Sequence, residues 1–142
     1  MLLLAPLIWL ASSFAPVANL WRHAGKMNSV ESCGSIGPID EGLEFSGVFV
    51  GVVVDNGPSG AEIQLRLVRD QDSVRGNYFR AGICGSISGI VVGNRMTFSW
   101  NWVDGSGRGV AIQTGNSLSG SSGFKDSTEG GGTFILFLRK PG

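Results

Sequence analysis

Short runs of strict apolar–polar alternation, each closed by a turn-forming cluster, are the feature that most limits what this chain can become. Ala61-Glu62-Ile63-Gln64-Leu65-Arg66-Leu67 alternates without a break, and so does Arg95-Met96-Thr97-Phe98-Ser99-Trp100-Asn101-Trp102. Successive side chains of a strand point to opposite faces, so a period of two marks half-buried β-strands. The pattern predicts that Leu65 and Leu67 share one face with Phe98, Trp100 and Trp102. Leu136 and Leu138, from the run after Gly132, join them. Between the runs stand turn clusters: Asp55-Asn56-Gly57-Pro58-Ser59-Gly60, Gly93-Asn94, Asp104-Gly105-Ser106-Gly107 and Thr114-Gly115-Asn116. These residue types supply positive φ or short side chains that bond the backbone.

Counting runs predicts eight strands, at about residues 44–54, 61–69, 73–80, 83–92, 95–103, 108–113, 117–124 and 132–139. The connections are too short for parallel crossovers, so neighbours pair antiparallel as a meander. Eight one-sided strands close best into a small barrel, which removes the exposed edges; a flattened sandwich is the alternative. A membrane-spanning barrel is set aside. It needs strands of about nine to eleven residues with an apolar outer band, and the Ser/Gly-rich run Ser117 to Gly123 presents none. Glycine is the commonest residue, 23 of 142, and is scattered without a period. Among β-branched residues that scatter points to turns and bends in a sheet.

The expected organisation is an apolar segment over residues 1–21, a linker over 22–42 and the barrel over 43–140. Residues 1–21 carry no charged side chain and are expected to form an apolar helix. Two readings stand: a secretory signal, or an uncleaved membrane anchor just reaching the roughly 20 residues that a span needs. As an anchor, Trp9, Trp21 and Arg22 are its interfacial residues. Arg22 and Lys26 follow the segment and no basic residue precedes it, which by the positive-inside rule opposes export. The cysteines favour export. The expected location is the outer, periplasmic face of an inner membrane, or secreted/periplasmic if the segment is cleaved. Cys33 lies too far from the apolar run to be a lipidation site.

No set of residues for catalysis emerges, and the chain is expected not to be an enzyme. His23, its single histidine, falls in the linker, so no histidine-dependent triad can form in the barrel. There is no His/Cys cluster for zinc, and neither a metal nor another cofactor is expected. Asp55, Asp70, Asp72, Asp104, Asp126 and Glu129 sit at turns, and Asp70-Gln71-Asp72 lacks the spacing of an EF-hand. Gly105-Ser106-Gly107-Arg108-Gly109 resembles a phosphate loop but is followed by no helix. Eleven basic residues balance eleven acidic ones, so no basic face is expected for nucleic acid.

Cys84 is in phase with Ser86 and Ser88, hence outward, and Cys33 lies in a linker long enough to drape over the barrel wall. A disulfide between them is the expectation, with two free thiols as the alternative. Tyr78, Phe98, Trp100 and Trp102 form the most suggestive aromatic set. They line a cup for an apolar ligand, or they pack over Gly76, Gly85, Gly89 and Gly120 as a solid core.

Ser73-Val74-Arg75-Gly76-Asn77-Tyr78, Thr97-Phe98-Ser99-Trp100-Asn101-Trp102, Ser117-Leu118-Ser119-Gly120 and Thr133-Phe134-Ile135-Leu136 resemble the strands of avidin- and lipocalin-like up-and-down barrels. In place of that group's opening Gly-x-Trp stands Gly47-Val48-Phe49. The resemblance implies the barrel style and, with it, a small ligand. Two functions are expected. The first is a membrane-associated, non-enzymatic interaction module, an accessory subunit of a larger membrane complex such as a respiratory or photosynthetic one. The second is an exported carrier of a small apolar ligand.

Overall fold

The computed structural model describes residues 29–54 and 60–139. They form eight strands: β1 Gly47–Val54, β2 Ala61–Asp70, β3 Ser73–Arg80, β4 Ile83–Val92, β5 Arg95–Trp102, β6 Gly105–Thr114, β7 Ser117–Phe124 and β8 Gly132–Leu138. Each strand pairs antiparallel with its sequence neighbours, and β1 closes on β8. This is the closed eight-stranded meander that the alternation predicts. The apolar helix expected over residues 1–21, with Trp9, Trp21 and Arg22, and His23 after it, lie outside the described residues. Among the described residues no helix is long and apolar enough to cross a membrane.

Pairing carries one set of side chains around the inside. Phe49 stands opposite Leu65, Leu65 opposite Tyr78, Ile87 opposite Trp100, Met96 opposite Ala111 and Leu118 opposite Leu136. Apart from Trp100, these residues and Leu67, Val74, Val91 and Phe98 belong to one buried apolar cluster, with Trp100, Trp102 and Leu138 packed against it.

Two strand starts differ from expectation. β6 begins at Gly105 rather than Arg108, because Gly107 is a strand residue facing the Trp100 indole and only Val103 and Asp104 turn the chain. β1 begins at Gly47 rather than Glu44. Phe45, at φ 56°, turns the chain into the barrel end, where its side chain is fully buried. Its N–H donates to the Gln113 Oε1, and Gln113 Nε2 donates to the Gly115 carbonyl at 2.9 Å. Phe45 thus plugs the end ringed by the β2–β3, β4–β5 and β6–β7 turns.

Residues 29–42, expected as a linker, lie on the outer wall as a strap. A short 3-10 turn, Val30–Cys33, packs on β2, β3 and β4 with Val30 fully buried. The Val30 N–H donates to Gln64 Oε1 at 2.9 Å. Cys33 is disulfide-bonded to Cys84 on β4, with 5.6 Å between their Cα atoms. Asn77 Nδ2 donates to the Cys33 carbonyl. The chain then returns across β3 and β2, where Arg75 and Arg66 donate to the Ile36 and Gly37 carbonyls. Arg139, just after β8, pairs with Glu31 of the turn.

Candidate ligand cavity

The end opposite Phe45 is hollow. A cavity of about 380 Å³ opens there, within the roughly 300–1,000 Å³ of small-molecule sites. Its floor is apolar: Leu65, Ile87, Met96, Ala111, Leu118 and Leu136. Tyr78, Phe98, Trp100 and Trp102, the aromatic set expected from the sequence, all line it. They come together because they are in phase on β3 and β5, and β4 between them contributes the small Gly85 and Gly89.

Rings and glycines explain why the barrel is not solid. The Tyr78 ring lies against Gly85 of the next strand, Phe98 against Gly109, Trp100 against Gly107 and Phe134 against Gly120. Each ring occupies the notch left by a missing Cβ. A ring leaning into the wall covers its neighbour strand and leaves the barrel axis open. The sequence alternative of Tyr78, Phe98, Trp100 and Trp102 over Gly76, Gly85, Gly89 and Gly120 has the right partner at Gly85 alone, with Phe134 over Gly120 instead, and the packing encloses space.

Hydrogen bonds and ring contacts hold this wall. The Tyr78 hydroxyl donates to the Asn101 carbonyl at 3.0 Å, and Trp100 Nε1 donates to the Gly123 carbonyl at 3.1 Å. Trp100 meets Phe124 edge-on with centroids 5.7 Å apart, and Phe98 meets Phe134 at 6.1 Å, both within the range of favourable ring pairs. The Trp102 Nε1 is buried with no partner among the described residues. Burial pushes the Tyr78 phenol up to about 12, with the nearby Arg80 charge opposing the rise.

The mouth carries Ala61, Arg80, Ala81, Ser122, Phe124 and Gly131. The β7–β8 connection folds back on the outside of β7: Ser121 Oγ donates to the Thr128 carbonyl, and the Glu129 backbone lies beside Gly123. It is thereby tied to the wall rather than hanging over the mouth. Arg80 is the one charged residue lining the cavity among the described residues. Sequence reasoning passed over it, and over Phe124 and Phe134. The signal was present for Arg80, which stands two residues beyond Tyr78 and so faces the same way.

Asp70, Asp72, Asp104, Asp126 and Glu129 are exposed and none lines the cavity. Asp55 lies outside the described residues. Among the described residues no group of three or more His, Cys, Asp or Glu is placed to hold a metal ion.

Fold and site together describe a small up-and-down β-barrel, plugged at one end and cupped at the other. Searches of protein-family models, curated proteins and solved structures find no significant match to this chain.

Proposed function

We propose that the chain is an exported carrier that holds a small apolar ligand in the open end of its barrel. The observation that carries this reading is the cavity itself, with an apolar floor and Trp100 and Trp102 in its wall. Removing apolar surface from water drives such binding at roughly 25 cal/mol per Å² buried, and a preformed wall spares the ligand the work of opening one. The disulfide supports an oxidising compartment. The expected membrane-associated module draws on residues 1–21. As an anchor they would set where the carrier sits without changing what the cup does.

The test is tryptophan fluorescence during titration with a neutral apolar probe, methyl dodecanoate, joined to mass spectrometry of organic extracts of the natively purified protein. Saturable one-to-one quenching, weakened when Ala111→Phe fills the floor of a still-folded barrel, supports the reading. No saturable response, and no apolar compound in the extract, overturns it.

A further inference from the structure

We propose that the ligand is a neutral, hydrocarbon-rich molecule bearing one hydrogen-bond acceptor, a carbonyl oxygen above all, and that the Trp102 indole N–H donates to it. This rests on the carrier reading and names the chemistry of its ligand.

Three side chains of the aromatic wall carry a polar hydrogen: Tyr78, Trp100 and Trp102. The Tyr78 hydroxyl is donated to the Asn101 carbonyl and the Trp100 indole N–H to the Gly123 carbonyl. Trp102 Nε1 is buried and has no partner among the described residues. The residue as a whole is half-buried, at the mouth end of β5, yet its N–H is the part shielded from water. Folding thus strips water from a donor without giving it an acceptor, a cost that buried indoles normally avoid. A ligand oxygen that takes this N–H removes the cost, and a pure hydrocarbon leaves it in place.

Trp102 also has room to make that contact. Tyr78 fills the notch over Gly85, Phe98 the one over Gly109 and Trp100 the one over Gly107. Gly105 is the register partner of Trp102, and nothing lies within 4 Å of a Cβ there. Of these four rings Trp102 is the one that leaves the glycine opposite uncovered, so its indole can turn and bring the N–H to the cavity. The floor, made by Leu65, Met96, Ala111, Leu118 and Leu136, offers a ligand apolar contact alone. The hydrocarbon body lies on that floor and the oxygen points back toward the mouth. Arg80 and Ser122 stand at the mouth itself and are partly exposed, where water competes with a ligand. A buried donor discriminates more sharply, because water cannot replace a missing acceptor there.

The experiment compares hexyl methyl ketone with the alkene in which a methylene group replaces its oxygen, a pair of nearly the same shape. Both are volatile, so binding to the full chain is read from the loss of vapour over the solution. The ratio of ketone to alkene affinity decides. Trp102→Phe keeps a ring but removes the N–H, and is expected to lower that ratio about tenfold. Trp100→Phe removes an N–H already donated to the Gly123 carbonyl and should leave the ratio unchanged. A ratio unmoved by Trp102→Phe, or lowered as much by Trp100→Phe, overturns the inference and leaves the carrier reading standing. If neither probe binds, the inference falls, and methyl dodecanoate then decides whether the carrier reading falls with it. Should Trp102→Phe not fold, the indole N–H resonance of Trp102 in the unaltered, isotope-labelled protein still decides. The ketone should move it downfield, as a new hydrogen bond does, and the alkene should not. No downfield shift with the ketone, or equal shifts with both probes, overturns the proposal.

Discussion

Trp100 on β5 and Gly107 on β6 are register partners, and the indole fills the space a side chain at Gly107 would need, with Cζ2 2.6 Å from the position of a Cβ. The same Cβ would press on the Gly123 carbonyl of β7, the acceptor of the Trp100 indole N–H. One hydrogen-for-methyl exchange thus reaches three strands.

Gly107→Ala is expected to destabilise the barrel by about 1–3 kcal/mol, the usual cost of overpacking. It should also shift the tryptophan emission as the ring is displaced. Gly105→Ala, two residues earlier in the same strand, is the control. Nothing lies within 4 Å of a Cβ there, so its effect should stay within about 0.5 kcal/mol. Urea unfolding of both variants measures the difference, and equal midpoints would refute the notch-and-ring account.

Tyr78 is the single tyrosine of the chain, so the tyrosinate absorbance reports it alone. Burial holds its pKa at about 12 in the folded state, against about 10 when unfolded. The folded protein keeps the proton longer than the unfolded one. Its stabilising contribution is therefore complete below pH 10 and is lost as pH rises from 10 through 12. Native protein should show the absorbance step near 12 and denatured protein near 10. Tyr78→Phe should remove the step and flatten the loss of stability over that window. A native step at 10 would mean that the phenol faces open water.

The Cys33–Cys84 bond joins residues 51 apart. A loop of that length corresponds to roughly 4 kcal/mol of denatured-state entropy. Replacing both cysteines by serine should lower the melting temperature, yet leave the barrel folded, since none of the strand pairings passes through the bond. The loss should be local first. The Val30 amide, held by Gln64 Oε1, should exchange with solvent far faster once the strap is released. Unchanged exchange at Val30 would show that its packing alone holds the strap.

Alternation located the strands closely. The expected 73–80, 83–92 and 117–124 are the observed β3, β4 and β7. It failed at Gly105-Ser106-Gly107, where Gly107, needed beneath an indole, read as part of a turn. A glycine's local signal is the same whether it serves the backbone or a neighbour's ring. Phase also brought Tyr78, Phe98, Trp100 and Trp102 together. Whether they fill or line the barrel was not legible, because it depends on which glycine each ring meets across the sheet. That is a matter of register: Tyr78 with Gly85, Phe98 with Gly109 and Trp100 with Gly107. Pairing between strands is set by the whole closed sheet, and no single strand's sequence states it. Arg80 was overlooked because a charged residue at a strand end is normally a solvated one.

Closure of β1 on β8 sets the order of events when the chain folds. Every other strand pairing joins neighbours along the chain and can zip as each hairpin forms, but Phe49 meets Leu138 only when the last strand has arrived. Until then both edges of a seven-stranded sheet stand open, with Val52 and Val54 on one of them, a ready template for pairing with another chain. Long-range pairing of this kind is also the slow step, because the loop must close before the contact repays it. Cys33 and Cys84 both precede β5, so their bond can lock the first half of the sheet while the second is still being made. The seam between first and last strand is thus where this barrel is most exposed to misassembly, and its cavity is complete only after that seam has shut.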